Sequence, residues 1–201
     1  PEDPLYYKSH LLRGRVAKWN GHEGHWKNCY DLADDHFAVL KATFPEHRLV
    51  RLYTGERVPA PSKQSFDAPG APEWARLQRE ALDRYLDLIH FWVERRQAPN
   101  GELGGNWGDD VEILRGWAPA VLAINDPAAL RGIRTMADGV WHSGEVENGF
   151  SKTIGDVEHG AELVSDTQPL MCAIDYGNPE YLERCMAGMR AMRDVWTAVN
   201  A

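Results

Sequence analysis

Apolar side chains recur at three- and four-residue intervals along most of the chain after residue 72, which is the pattern of amphipathic helices. Trp74, Leu77 and Ala81 open the longest such run, and Pro72 suits its first helical turn. Aspartate or asparagine followed by proline also favours a helix start, because the side-chain oxygen caps free amides and proline fits the first turn. The pattern predicts five helices, over residues 72–97, 109–124, 127–141, 156–174 and 178–199.

The first third of the chain carries a weaker pattern. Residues 22–44 predict one amphipathic helix. Residues 1–21 show no clear apolar stripe, and we expect them to be irregular or to contain a short β-strand. The span 45–71 is rich in proline and predicts a long ordered loop with a β-like stretch at 49–53. The predicted organisation is an N-terminal segment at 1–21, a first helix plus loop at 22–71 and a helical domain at 72–201.

The predicted helices recur with a regular spacing. Proline-started helices begin at residues 72, 127 and 179, and the acidic loops Gly108–Asp109 and Gly155–Asp156 precede the helices between them. A period of about 50 residues with two helices per unit is typical of stacked helical hairpins. We therefore predict an all-α fold of antiparallel helical hairpins, with turns at 125–127 and 177–179 and with both acidic loops at the same end.

Charge and hydropathy argue against two classes of partner. The net charge of −8 argues against nucleic acid, because phosphate binding requires clustered lysine and arginine. No apolar stretch approaches the roughly 20 residues that a membrane-spanning helix requires, so no membrane partner is predicted. An acidic protein can still bind an anionic sugar through a local pocket of arginine and histidine. The net charge therefore does not exclude a carbohydrate ligand.

The stretch 100–112 concentrates the polar chemistry of the chain. Its four glycines favour turns, and it presents Asn106, Trp107 and two adjacent aspartates just before an apolar helical pattern. Asp109 followed three residues later by Glu112 resembles a capping box, and acidic residues are favoured near a helix N-terminus. The alternative is that one carboxylate is free and faces a cleft as an acid, a base or an ion ligand.

A second acidic loop, Gly155–Asp156, leads into a helix that carries Glu158, His159 and Glu162. Asp156 can cap this helix, which leaves the other three on its surface. His159 and Glu162 can form a proton-transfer group with its orienting carboxylate, or all three can form a solvated polar face. Glu158–His159 does not complete an HExxH zinc motif, because position 162 is glutamate.

The stretch 100–112, the segment Gly155–His159 and the hairpin period resemble the (α/α) toroids of carbohydrate-active enzymes, which include polysaccharide lyases and six-hairpin glycosidases. The resemblance covers residues 72–199 well and 22–44 poorly. It implies a toroid or barrel whose inner-helix loops line a sugar-binding cleft. The toroid is incomplete, so the missing hairpins are expected from the rest of the chain or from another chain. The resemblance also implies a secreted or periplasmic protein whose signal segment is not in this chain.

The function predicted from this resemblance is cleavage of an anionic, uronic-acid-containing polysaccharide by β-elimination. A lyase must neutralise the uronate carboxylate and remove the C5 proton, which suits Asn106 and His159. The alternative is a glycoside hydrolase, which needs two opposed carboxylates, and Asp110 and Glu158 are the natural pair. A second alternative is a non-catalytic helical scaffold that binds carbohydrate or another partner. The predicted catalytic residues are therefore His159, Asp110, Glu158 and Asn106.

Substrate binding is assigned to four residues, and the expected partner is a polysaccharide or oligosaccharide. Trp107 is a bulky aromatic residue in a glycine loop, which suits stacking on a sugar ring. Glu102, Asp109 and Asn148 complete the predicted substrate-binding set. No metal or other cofactor is predicted. The adjacent acids at 109 and 110 suit Ca²⁺, but the six to eight or so oxygen ligands that this ion takes are not visible in the sequence.

Overall fold

The computed structural model describes residues 2–59, 69–152 and 155–198, and its only regular β-structure in these ranges is one short hairpin. The chain divides into two compact units, residues 1–63 and 64–201. The predicted all-α class is confirmed, whereas closure into a toroid or barrel stays a prediction. Within the described ranges, no helix combines the length and the apolar character that crossing a bilayer requires.

The first unit is built on a pair of closely packed helices, α1 (Tyr6–Gly24) and α2 (Lys27–Thr43), followed by the short α3 (Arg48–Tyr53). A Cβ atom built on Gly14 of α1 would lie 3.0 Å from the Phe37 ring of α2, so the two backbones approach closely. The small core of this unit comprises Ala17, Ala33, Phe37, Leu40 and Val50. The helix predicted within residues 22–44 is confirmed as α2.

Two predictions for the first unit are wrong. The segment 1–21 is expected to be irregular or β-containing, but its residues 6–21 form most of α1, and the β-like stretch 49–53 lies in α3. The residues that α1 buries are small, namely Gly14, Ala17 and Gly21, so the sequence carries no broad apolar stripe there. The part of the predicted long loop at 60–68 lies outside the described residues.

In its described residues, the second unit contains six α-helices, one short β-hairpin and a π-helical turn. Its elements are α4 (Glu73–Arg95), α5 (Trp107–Leu122), α6 (Pro127–His142), β1 (Val146–Glu147), β2 (Phe150–Ser151), α7 (Val157–Ser165), α8 (Gln168–Ile174) and α9 (Pro179–Ala191), with a π-helical turn at Met192–Trp196. β1 and β2 pair antiparallel. The single helix predicted for 156–174 is two helices, and the other predicted starts fall within a few residues of those observed.

Contacts between residues of α5, α6 and α7 give the relative directions of these three helices. Trp107 at the start of α5 lies against Gly139 near the end of α6, and Trp117 lies against Gly132, so α5 and α6 are antiparallel. Along α5 and α7, in contrast, contacts advance together: residue 108 meets residue 159, and residue 115 meets residue 166. The α5–α6 pair is therefore a helical hairpin of the predicted kind, and α5 and α7 point the same way.

The core of the second unit lies mainly between α5, α6 and the helices that follow. Its large apolar side chains that are fully enclosed are Ile89, Val111, Leu114, Ile133, Met136, Val140 and Met171. α4 contributes only Ile89 to this group, and Trp74, Leu77 and Leu88 on the same helix are more than half exposed. The apolar pattern of α4 thus predicts the helix correctly, but less of its apolar face is buried than the pattern predicts.

Candidate functional site

The loop before α5 is organised by one carboxylate. Asp110 is almost fully buried, and its Oδ2 accepts the backbone N–H groups of Leu103 and Gly104 at 2.6 and 3.1 Å. Its Oδ1 accepts the N–H of Gly105 at 2.9 Å. Both oxygens of this predicted catalytic residue are therefore engaged by the loop that leads into its own helix.

The N-cap of α5 is Asn106, at a φ of 71°, and its Oδ1 accepts the N–H of Gly108 at 2.9 Å. The predicted capping box of Asp109 and Glu112 is wrong, because the helix begins earlier than the acidic pair. Both acids lie on the exposed surface of the first turns of α5. The cap of α7 is Asp156, as predicted, and its Oδ1 accepts the N–H of His159 at 3.3 Å.

The starts of α5 and α7 meet at His159. A Cβ atom built on Gly108 would lie 3.0 Å from the Cβ of His159, so only glycine allows this approach without a shift. The Nδ1 of His159 is 3.0 Å from Asp156 Oδ2, and its Nε2 is 3.3 Å from Asp109 Oδ1. The two acidic loops therefore lie at the same end of the unit, as the hairpin spacing predicts.

The two aspartates favour the protonated form of this imidazole. Partial burial lowers the pKa of His159, but the nearby carboxylates of Asp156 and Asp109 outweigh burial and raise the pKa above its usual value. A histidine in this position can act as a proton-transfer group, with either carboxylate holding the orientation of its ring. The sequence predicts Glu162 as the carboxylate that orients His159, whereas the carboxylates that contact its ring nitrogens are those of Asp156 and Asp109.

One turn further along α7, a charged network joins the two helices. Arg115 of α5 donates from Nη2 to Glu162 Oε1 at 2.5 Å and from Nε to Asp166 Oδ2 at 2.6 Å. The two carboxylates raise the pKa of Arg115, which keeps its positive charge fixed. Ligand atoms of Glu112, His159 and Glu162 lie within 4.8 Å of one another, so these three side chains face a common point.

The remaining predicted residues lie in several places. Trp107 is half-buried, packs against the core and lines an open groove with Asp138 and other residues near α6. Glu102 accepts a hydrogen bond from Asn100 Nδ2 at 2.7 Å within the loop. Asn148 occupies the β1–β2 turn at a φ of 53° and lines a groove beside α9, and Glu158 is exposed on α7. The structure thus joins Asp109 and His159, and it places Trp107 and Asn148 on other surfaces.

Arg115 is not predicted as a site residue from the sequence, and Glu112 is predicted only to cap α5. Arg115 follows an apolar pair in an ordinary helical pattern, and nothing within α5 indicates that it reaches residues 162 and 166. The available signal was indirect. If the two acidic loops lie at one end and α5 and α7 run the same way, side chains on their facing surfaces must meet one turn later.

Comparison with known proteins gave no match to a family model, a curated protein or a solved structure.

Proposed function

We propose that the second unit carries the proton-transfer site of an enzyme that cleaves an anionic, uronic-acid-containing polysaccharide by β-elimination. The observation that carries the proposal is the position of His159, held between Asp156 and Asp109 where the two acidic loops meet. A histidine oriented by carboxylates at a loop junction is a suitable general base for carbon acids made acidic by an adjacent carboxylate. The resemblance of the two loops to those of (α/α)-toroid enzymes supplies the substrate class.

The proposed reaction needs one proton acceptor and one charge neutraliser. The neutral His159 ring, with Nδ1–H donating to Asp156, takes the C5 proton of the uronate on its Nε2. The electron pair left at C5 forms a double bond to C4, the C4–O bond breaks, and the departing oxygen takes up a proton from water. Asn106 is exposed, and among the described residues its one side-chain hydrogen bond is at Oδ1, which accepts the Gly108 amide, so its Nδ2 can contact the uronate.

The hydrolase alternative is less well supported by the same residues. A hydrolase needs one carboxyl group to donate a proton and another carboxylate to act as nucleophile or base. Asp110 already accepts three backbone N–H groups, so releasing it for either role would free the loop that it holds. The predicted pair of Asp110 and Glu158 therefore fits catalysis less well than His159 with its aspartates.

The test is a digestion assay of the purified chain on a panel of uronic-acid-containing and neutral polysaccharides. A lyase produces both new reducing ends and the ultraviolet absorbance of an unsaturated uronate, whereas a hydrolase produces reducing ends alone. We expect both signals from an acidic substrate, and we expect His159→Ala to lower the rate by about 10²- to 10⁴-fold. The matched control is Glu183→Gln, which replaces an exposed carboxylate on α9. This variant should cleave the substrate at the same rate as the parent.

Three outcomes would overturn the proposal. Reducing ends without unsaturated product, lost in Glu158→Gln and kept in His159→Ala, would indicate a hydrolase. Substrate binding without product would indicate a scaffold. Unchanged cleavage by His159→Ala would place the proton-transfer site on other residues.

A further inference from the structure

We propose that Glu112, His159 and Glu162 form a binding site for a divalent first-row transition-metal ion of the Zn²⁺ type. The first observation is geometric, because the ligand atoms of these three side chains lie within 4.8 Å of one another across α5 and α7. Two ligands at about 2.0–2.2 Å from one ion are at most roughly 4.4 Å apart. A contraction of a few tenths of an ångström would therefore bring all three onto a single ion.

The second observation is an unpaired buried oxygen. Glu162 is 7% exposed, and Arg115 binds its Oε1, yet its Oε2 is buried and has no hydrogen-bond partner in the described part of the chain. Leaving a carboxylate oxygen buried and unpaired is costly, so such an atom indicates a missing partner. A cation held jointly with Glu112 and His159 would supply that partner.

The third observation is the arrangement behind His159. Its Nδ1 is 3.0 Å from Asp156 Oδ2, which is the carboxylate–histidine pairing that fixes a metal-binding imidazole and leaves Nε2 for the ion. Asp109 Oδ1, at 3.3 Å from Nε2, lies close enough to contribute a further oxygen ligand after a small movement. The chain thus provides three ligands and an orienting residue.

Charge and ligand type define the class of ion. The carboxylates of Asp109, Glu112, Asp156 and Glu162 surround one imidazole, and Arg115 is the one guanidinium bound among them in the described residues. This excess of negative charge favours a dication. An imidazole with carboxylates suits zinc, cobalt or manganese, whereas Ca²⁺ takes about six to eight oxygen ligands.

The inference goes beyond the proposed lyase activity and does not depend on it. Where both hold, the ion occupies the Nε2 lone pair that would accept the C5 proton, so added Zn²⁺ should inhibit cleavage. Direct binding measurements on the metal-free protein test the site even if the chain cleaves no polysaccharide, so the two proposals can fail separately.

The test uses untagged protein, freed of metal with a chelator and titrated with Co²⁺ and Zn²⁺. We expect one ion per chain, with visible absorption bands for bound Co²⁺ and displacement by Zn²⁺ but not by excess Ca²⁺. Glu112→Gln changes an exposed side chain and should fold normally, and we expect it to weaken binding by at least about 10- to 100-fold. Glu162→Gln should do the same, and Glu183→Gln on α9 should bind like the parent.

Asp156→Asn separates the orienting role from direct ligation. It keeps the side-chain volume, and we expect an intermediate loss of affinity, on the order of 10-fold. The proposal is overturned if the parent binds no Co²⁺ or Zn²⁺ at millimolar concentration. Equal binding by Glu112→Gln and the parent would also overturn it, as would preferential binding of Ca²⁺.

Discussion

The role of Asp110 can be tested by removing its carboxylate from the loop that it organises. In Asp110→Ala, the N–H groups of Leu103, Gly104 and Gly105 lose their acceptor. A hydrogen bond to a charged group contributes about 1.5–3 kcal/mol to stability when both partners are shielded from water. Gly104 and Gly105 are exposed, so water replaces part of what these amides lose.

The expected loss in Asp110→Ala is therefore about 2–4 kcal/mol in the free energy of unfolding, below the simple total for three such bonds. Asp110→Asn retains one acceptor oxygen, which can still serve Leu103 and Gly104. Its amide group then faces the N–H of Gly105, and the negative charge is lost. We expect a smaller cost for this variant, about 1–2 kcal/mol.

The neighbouring residue provides a matched control. Asp109 is exposed and contacts His159 at 3.3 Å without accepting a backbone amide within the described residues. An exposed ion pair contributes little, so Asp109→Ala should cost less than about 1 kcal/mol. Two adjacent aspartates on one helix should therefore differ severalfold in their effect on stability.

Urea unfolding followed by tryptophan fluorescence gives the change in free energy, and amide hydrogen exchange reports the loop directly. In Asp110→Ala, the amides of Leu103, Gly104 and Gly105 should exchange faster. The exchange rates of amides in the centre of α6 should rise only as far as the loss of global stability requires. A stability loss below about 0.5 kcal/mol with unchanged exchange at the three amides would refute the assigned role.

Two further predictions concern packing and pH. Gly139→Ala should destabilise the second unit by about 1–3 kcal/mol or more, because a Cβ there would lie 1.8 Å from the Asn100 carbonyl oxygen. Gly116→Ala, with open space around its Cβ, should instead stabilise α5 by up to about 1 kcal/mol, and thermal unfolding of both checks the contrast. Burial, then neighbouring positive charge, lowers the pKa of His36, whose Nδ1 is 3.0 Å from Nδ1 of His10. The unfolded chain therefore binds more protons than the folded chain near the pKa of free histidine. The urea midpoint of the first unit should fall as pH drops below about 6.5. If the midpoint depends on pH equally in the parent and in His36→Gln, this prediction is wrong.

Local sequence signals account for the helix starts that were predicted well. Asp126 accepts the N–H of Ala129 at 2.8 Å, and Asn178 accepts the N–H of Glu180 at 3.1 Å, each just before a proline in the first turn. Such signals involve residues a few positions apart, so they can be recognised without knowing the fold. The contact of Arg115 with Glu162 joins residues 47 positions apart, and only the packing of α5 on α7 creates it.

The first unit illustrates a different limit. Gly14, Ala17 and Gly21 lie on one face of α1 and are buried because two backbones approach closely, which requires small side chains. Apolar periodicity depends mainly on large side chains, so this segment carries only a weak helical pattern. The same periodicity predicts that the large apolar side chains of α4 are buried against other helices, although Trp74 is 68% exposed.

The least predictable part of the candidate site depends on where α5 begins. Placing the start at the acidic pair makes Asp109 a cap and leaves Asp110 free for catalysis. The structure places the cap at Asn106, three residues earlier. Successive residues on a helix are rotated by about 100°, so within this first turn Asp109 meets His159 while Asp110 turns back to its own loop. A shift of less than one turn therefore exchanges the roles of two adjacent aspartates, and the glycine-rich stretch before them contains no sequence signal strong enough to fix that start.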